Sequence, residues 1–257
     1  MIRKRNIYSK GITKNFRVSR SKVDLFMKCK RCFWLDRVKG LALISPPSFT
    51  LNNAVDSLLK NEFDYYRNKK EKHPIFIENN LNYIPFSHDS LEIWRENFKG
   101  LEFYDHELGL TFTGALDDIW INLDSNKLIV VDYKATSKKG QIEISDEGWW
   151  PAYKRQIDFY NYLLLKNNFE VDDVGYFLYA NGKKEGSFNS KLNFDIDLIE
   201  YSHDTSWIPK TLKELSSTLD NEEMPDFSRK CDHCSYYEDR QLSYRRLNYG
   251  QNLDLFD

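Results

Sequence analysis

The chain has 257 residues, of which 41% are hydrophobic and 15% aromatic, and its formal net charge at pH 7 is −2. This size and composition suit one domain with a sizeable core, or one domain with an insertion, and the charge excludes binding to nucleic acid through overall attraction. No run of 18 apolar residues occurs and the N-terminus lacks the apolar segment of a secretory signal, so we expect a cytoplasmic protein without a membrane partner.

The N-terminal segment, residues 1–20, is strongly basic. Its arginines and lysines are accompanied by no Asp or Glu as far as residue 22: Arg3, Lys4, Arg5, Lys10, Lys14, Arg17, Arg20 and Lys22. Two interpretations remain open, a solvated basic tail and an arm that contacts nucleic-acid phosphates.

Apolar spacing predicts a helix over residues 21–40 and a second over residues 50–67. Residues 75–109 are irregular, with a short helix near residues 90–98. We interpret residues 45–109 as a helical insertion in a domain that spans residues 21–240.

Two β-rich stretches, residues 110–123 and 127–135, predict an antiparallel hairpin. Further along the chain we expect a helix over residues 151–167, strands over 174–180 and 191–199, and a helix over 209–219. This order predicts an α/β (mixed α+β) fold, with a central mixed sheet flanked by helices and an N-terminal helical region. Residues 241–257 would form a C-terminal tail.

Two aspartates of the hairpin, Asp117 and Asp132, are candidate metal ligands. Mg²⁺ prefers oxygen ligands and usually takes only one or a few carboxylates. The strand period of two places Asp132 and Lys134 on one face, with Tyr133 on the other. A lysine there can orient a water molecule or stabilise negative charge in phosphodiester hydrolysis, although an isolated Asp-x-Lys is more often a plain ion pair.

Three motifs occur in order: Gly114 to Asp117 (G-x-x-D), Ile129 to Lys134 (apolar-D-x-K), and Gln156 with Tyr160 (Q-x-x-x-Y). In these motifs the chain resembles the RecB-like branch of the PD-(D/E)XK nucleases, which includes CRISPR-associated exonucleases. The resemblance covers roughly residues 21–237. It implies a restriction-endonuclease-like core and a divalent-metal-dependent DNA nuclease, an exonuclease of repair, recombination or CRISPR-type DNA processing.

The resemblance also implies roles for individual residues. Asp117, Asp132 and the Tyr133 carbonyl would bind Mg²⁺ or Mn²⁺, while Lys134 positions water and Gln156 and Tyr160 organise the site. Asp56 stands where the branch usually has a metal-binding histidine. It is either a further ligand or an exposed helix carboxylate.

The four cysteines form two C-x-x-C pairs, Cys29 with Cys32 and Cys231 with Cys234. Such pairs favour a metal or redox site in a reducing compartment. The resemblance implies a [4Fe-4S] cluster, but its third downstream cysteine is absent here and Cys32 would replace it. Zn²⁺ therefore remains an alternative, as do free thiols.

The last seven residues contain Gln251, Leu253, Leu255 and Phe256. They resemble the short peptide that docks bacterial proteins to the sliding clamp, although these apolar residues could equally pack on the protein itself. Two functions compete with the nuclease: a non-catalytic nucleic-acid-binding scaffold, and a clamp adaptor with a structural metal site.

Overall fold

The computed structural model describes residues 6–44, 47 and 49–253, with the backbone alone for residues 246–253. The chain divides into two compact units. The terminal unit comprises Met1–Phe16, Ser21–Ser45 and Lys210–Asp257, and the central unit comprises Arg17–Arg20 and Pro46–Pro209. None of the helices in the described part is long and apolar enough to cross a lipid bilayer.

The strands are β1 (Phe16–Ser19), β2 (Tyr83–Pro85), β3 (Leu101–Asp105), β4 (Leu110–Gly114), β5 (Asp118–Asn122), β6 (Leu128–Thr136), β7 (Val174–Gly182) and β8 (Phe194–Ser202). The helices are α1 (Arg20–Lys28), α2 (Lys30–Val38), α3 (Thr50–Lys69), α4 (Pro74–Glu78), α5 (Leu91–Arg95), α6 (Trp150–Lys166), α7 (Ile208–Leu219) and α8 (Asp232–Leu253).

The main sheet of the central unit has five strands in the order β2-β5-β6-β7-β8, with β6 parallel to β7 and the other pairs antiparallel. The first six residues of β6 are all buried, which explains the continuous apolar run of the first four, because a strand covered on both faces needs no alternation. One face packs on α3 through Val55, Leu59 and Phe63. The predicted mixed α/β fold with helices flanking the sheet is confirmed.

Helix α6 covers the opposite face of this sheet. A Cβ atom on Gly175 of β7 would lie only 2.7 Å from Cγ2 of Ile157, so glycine permits the close approach of helix and strand. Asp132 and Lys134 point to this α6 face, whereas Tyr133 points to the α3 face and packs beside Phe63.

The predicted single strand over residues 110–123 is wrong, because the structure divides it. Strand β4 pairs with β3 in a separate sheet of order β1-β4-β3, while β5 pairs with β6 in the main sheet. Residues 115–117 connect the two sheets, with Leu116 fully buried. Asp117 therefore lies in the connection and not within a strand.

The predicted helix over residues 21–40 is also two helices. Cys29 lies between α1 and α2 in an extended conformation, with φ −161° and ψ 110°, and is the N-cap of α2. The stretch 75–109, expected to be mostly irregular, contains α4, β2, α5 and β3. Helix α4 begins where Pro74 follows His73, whose ring accepts a hydrogen bond from the Ile75 amide.

Candidate functional site

Two carboxylates meet at the point where the connection after β4 passes β6. Asp132 is fully buried and forms an ion pair with Lys134. Among the described residues, its oxygens have no hydrogen-bond partner apart from this ammonium. Asp117 accepts a hydrogen bond of 2.9 Å from the Tyr133 amide, which fixes it against the same strand. A buried carboxylate without hydrogen-bond donors is costly unless a cation compensates it.

The charges of this cluster repel one another. Burial, followed by the charge of Asp132, raises the pKa of Asp117 to about 6, although Lys134 and Lys60 oppose this shift. Burial and then the charge of Asp117 raise the pKa of Asp56. Carboxylate oxygens are the hard donors that a divalent cation such as Mg²⁺ prefers, and repulsion between neighbouring carboxylates favours binding of a cation. The chemical type of these residues therefore fits the predicted metal, although the oxygens of all three do not lie within 4.8 Å of one another.

Lys134 is held from three sides on the α6 face. Its ammonium contacts Asp132, lies 4.4 Å from the ring centroid of Tyr153, and donates to Oε1 of Gln156 at 3.5 Å. Its side chain is 14% exposed. The lysine is thus oriented by its neighbours but remains accessible to a ligand.

Gln156 and Tyr160 share one face of α6, as their spacing of four residues dictates. The Gln156 amide donates to the Tyr160 hydroxyl at 3.1 Å. Burial, the largest cause, raises the pKa of Tyr160 to about 12, so the phenol keeps its proton. The Tyr160 ring lies over Gly114, where a Cβ atom would come within 2.6 Å of Cε1. The glycine and the tyrosine of two separate motifs are therefore in contact.

A cleft of about 300 Å³ opens beside these groups. Asp56, Asp117, Tyr133 and Lys134 line it, whereas Asp132, Gln156 and Tyr160 lie beneath its surface. The structure thus brings together all the residues that the resemblance assigned to the divalent metal and to the surrounding site.

A family model of the PD-(D/E)XK nuclease superfamily matches residues 17–238. The chain belongs to the PD-(D/E)XK nuclease superfamily. Members of this superfamily are generally metal-dependent nucleases. No curated protein matches the chain.

Lys60 lines the same cleft, and sequence reasoning missed it. Its ammonium donates to Asp56 at 2.8 Å and lies 3.8 Å from Oδ1 of Asp117. The separation of four residues between Asp56 and Lys60 could have indicated the pairing on α3. The approach to Asp117 could not have been predicted, because it depends on how α3 packs on the sheet.

Asp118, the neighbour of Asp117, belongs to a separate network of buried charges. It is fully buried and pairs with Arg67 and Arg95, and it accepts a hydrogen bond of 2.7 Å from the Tyr133 hydroxyl. Arg67 also donates to the Phe86 carbonyl at 2.7 Å. This network joins α3 and α5 to β5 and to β6, the strand that carries Asp132 and Tyr133, and sequence reasoning missed both arginines.

The second candidate site is a group of four cysteines in the terminal unit. Cys29, Cys32, Cys231 and Cys234 are buried, and their sulfur atoms all lie within 4.8 Å of one another. Burial raises the pKa of Cys234 to about 12 and raises that of Cys32. Burial acts in the same direction on Cys29, but backbone hydrogen bonds from Cys32 and Ser228 outweigh it and lower the pKa of Cys29 to about 7. Without a metal Cys32 and Cys234 stay neutral, and a bound metal would replace their protons.

The predictions for the basic N-terminal segment and for the C-terminal clamp-docking peptide fall partly outside the described residues. Within the basic segment, Arg17 belongs to β1 and pairs with Glu102, whereas residues 1–5 are not described. Gln251 and Leu253 lie in the last turn of α8 and their side chains are not described. Leu255 and Phe256 lie outside the described residues, so clamp docking stays a prediction.

Proposed function

We propose that the protein is a divalent-metal-dependent nuclease that hydrolyses phosphodiester bonds in DNA. The observation that carries this proposal is the buried carboxylate of Asp132, which among the described residues has only Lys134 as a polar partner and lies beside Asp117. Membership of the PD-(D/E)XK nuclease superfamily supports it.

Asp117, Asp132, Asp56 and the carbonyl of Tyr133 would hold Mg²⁺ or Mn²⁺ in this proposal. The metal, when bound, supplies Lewis-acid stabilisation of charge on the phosphate oxygens and lowers the pKa of water. The backbone amide of Tyr133 orients Asp117 through its hydrogen bond. Asp132 needs no orienting partner, because burial in β6 restricts its side chain.

Lys134 would orient the attacking water and donate a hydrogen bond to a phosphate oxygen as negative charge develops. Its contacts with Asp132, Tyr153 and Gln156 set the direction of the ammonium before substrate arrives, which reduces the reorganisation needed in the transition state. Gln156 and Tyr160 are positioning residues that act through Lys134.

We further propose that the protein belongs to the RecB-like branch of the superfamily and acts as an exonuclease in repair, recombination or CRISPR-type processing. The order of the three motifs supports it, as does the pair of cysteine motifs that flanks them. Asp56 in place of the branch's usual histidine is compatible with it, because Asp56 lines the cleft together with Asp117.

A non-catalytic nucleic-acid-binding scaffold is the second candidate. One observation favours it: Lys60 already supplies a positive charge between Asp56 and Asp117. An internal ammonium at this place competes with a divalent cation for the same carboxylates.

Cleavage assays decide between these functions. End-labelled linear DNA and circular DNA would be incubated with Mg²⁺, Mn²⁺ or EDTA, and wild type would be compared with Lys134→Ala. Lys127→Ala is a matched control, because Lys127 precedes the other end of β6. We expect metal-dependent cleavage that only Lys134→Ala abolishes, and cleavage of linear but not circular DNA identifies an exonuclease. Folded, metal-loaded protein that cuts neither DNA nor RNA would make the scaffold the better account.

A further inference from the structure

The four cysteine sulfurs of the terminal unit are unusually close to one another. Sγ of Cys29 lies 3.7 Å from that of Cys234, and Sγ of Cys32 lies 3.6 Å from that of Cys231 and 3.4 Å from that of Cys234. All four are free thiols and none forms a disulfide. Each candidate metal centre requires a characteristic distance between these sulfur atoms.

A single Zn²⁺ holds four thiolates at about 2.3 Å, which places the sulfurs about 3.8 Å apart at the corners of a tetrahedron. In a [4Fe-4S] cluster each thiolate binds a different iron atom outside a cube of iron and sulfide, so the thiolate sulfurs stand roughly 6 Å apart. The observed separations, all within 4.8 Å, do not fit the cluster that the resemblance implies. They fit one small ion.

We propose that Cys29, Cys32, Cys231 and Cys234 bind one tetrahedral Zn²⁺ with a structural role. All four positions of the ion are filled by protein sulfur, which is typical of structural zinc and leaves no site for a substrate. The inference does not depend on nuclease activity.

Both cysteine pairs lie at helix N-termini, which favours thiolates. Cys29 is the N-cap of α2, and Cys231 immediately precedes α8. Backbone amides of Cys32 and Ser228 hydrogen-bond to the Cys29 sulfur. Amide donors and the positive ends of two helices offset the negative charge that four thiolates leave on a Zn²⁺ site.

The test is metal analysis of the full chain, purified anaerobically after growth with iron and zinc both supplied. We expect about one zinc per chain, no visible absorption, and the absorption bands of a tetrahedral cobalt thiolate after Co²⁺ exchange. Zinc should remain bound during anaerobic reconstitution with iron and sulfide. Several irons per chain with matching sulfide, visible absorption that reduction bleaches, or the absence of bound metal would each overturn the proposal.

Variants locate the metal. Cys32→Ser should lose the bound zinc, whereas His233→Ala should keep it, because His233 is exposed and lies outside the sulfur group. If Cys32→Ser fails to fold, the cobalt spectrum of the wild type still decides the ligand set.

A second, independent inference concerns lysines at the ends of the parallel strands β6 and β7. A cleft of about 450 Å³ is lined by Lys138, Lys139, Lys183 and Lys184. Lys183 pairs with Asp195 at 2.6 Å, while the other three have no ion pair within the described part of the chain. Glu185 also lines the cleft, so four lysines face two carboxylates and the cleft keeps an excess of two positive charges.

The loop that presents these lysines is fixed to the sheet. The Asn181 side chain accepts from the Lys138 amide at 2.9 Å and donates to the Lys138 carbonyl at 3.1 Å. The Ser137 hydroxyl donates to the Gly182 carbonyl at 2.7 Å. Lys138 follows Lys134 by four residues on nearly the same strand, a reach of about 13 Å.

We infer that this lysine cleft binds the phosphodiester backbone of DNA beside the scissile phosphate, an inference that rests on the proposed function. Lysines bind phosphates as point charges without reading sequence. The fixed loop places the charges at a constant distance from Lys134.

DNA binding is measured in EDTA, where no metal-dependent cleavage occurs. The result therefore tests the lysine cleft independently of whether the protein cleaves DNA. The double variant Lys138→Ala, Lys184→Ala should weaken binding to short DNA about tenfold and reduce the slope of log K against log salt by about two, because each lost phosphate contact removes about 0.9. The control Lys72→Ala, Lys127→Ala, which removes two lysines outside the cleft, should leave both unchanged. Equal losses in both double variants, or no loss in the first, would refute the inference.

Discussion

Gly114→Ala tests whether the contact between two sequence motifs positions the candidate catalytic lysine. A Cβ atom at residue 114 would lie 2.6 Å and 2.9 Å from two ring carbons of Tyr160, and 3.1 Å from Cδ1 of Leu163. The Tyr160 hydroxyl accepts a hydrogen bond from Gln156, and Gln156 accepts one from Lys134. We expect the substitution to displace the tyrosine and, through it, the lysine.

The magnitude follows from the distances. Carbon atoms in ordinary contact are about 3.5–4.0 Å apart, so the Tyr160 ring must move by roughly 1 Å. Overpacking of this kind costs about 1–3 kcal/mol in the free energy of unfolding. A displacement of about 1 Å in an active site can reduce the reaction rate about 100-fold.

The assay combines single-turnover cleavage of saturating DNA with urea unfolding. Gly175→Ala is the matched control, since its Cβ would lie 2.7 Å from Ile157 on the same helix α6. Ile157 makes no hydrogen bond to the site through its side chain. We expect both variants to lose stability, but only Gly114→Ala to lose the cleavage rate.

The double variant Gly114→Ala, Tyr160→Leu should recover stability without recovering the rate, because the smaller side chain relieves the clash but lacks the hydroxyl. A wild-type rate and unfolding midpoint in Gly114→Ala would refute the reasoning. An equal loss of rate in Gly175→Ala would show that general destabilisation, and not the position of Lys134, causes the effect.

Further predictions concern the buried charges and the metal. Asp118→Ala should lower the free energy of unfolding by about 3–5 kcal/mol in urea titrations, because it leaves the buried Arg67 and Arg95 to share Asp64 as their remaining buried or half-buried carboxylate; a loss under 1 kcal/mol would contradict this. Burial lowers the pKa of His73, so the unfolded chain takes up a proton first as pH falls through about 6.5, and stability should decline there until the folded pKa is reached. The decline would amount to about 1.4 kcal/mol per unit of pKa lowering, and it should be smaller in His73→Gln in urea titrations between pH 8 and 5. Lys60→Met removes an ammonium that competes for Asp117 and should tighten Mg²⁺ binding about fivefold in calorimetry, which corresponds to about 1 kcal/mol; weaker binding would contradict the competition.

Regular periodicity predicted the elements that flank the site. The helix over residues 151–167 and the strand over 174–180 correspond closely to α6 and β7, because long apolar patterns reflect burial directly. The mixed sheet between helices followed from their order. The break at residues 115–117 could not be predicted, because both halves of that stretch favour β structure and only pairing with different partners separates them.

The candidate site, like the fold, could be predicted from the sequence only in part. The motifs indicated Asp117, Asp132 and Lys134, which the structure places together at one cleft or beneath it. The position of Arg95 and the approach of Lys60 to Asp117 carry no local signal, since they depend on the packing of α5 and α3. Similarly, the sequence spacing of the cysteines left the metal open, whereas the sulfur separations distinguish between one ion and a cluster.

The separation of the two C-x-x-C pairs along the chain has a consequence during protein synthesis. Cys32 leaves the ribosome before Cys231, and about 200 residues lie between them. At about 5–20 residues per second, the first pair waits roughly 10–40 seconds for the second. During that interval the central unit can fold while the nascent first pair has only half of its ligand set. The thiols of the growing chain are therefore exposed to oxidants and competing metals for longer than those of the finished protein.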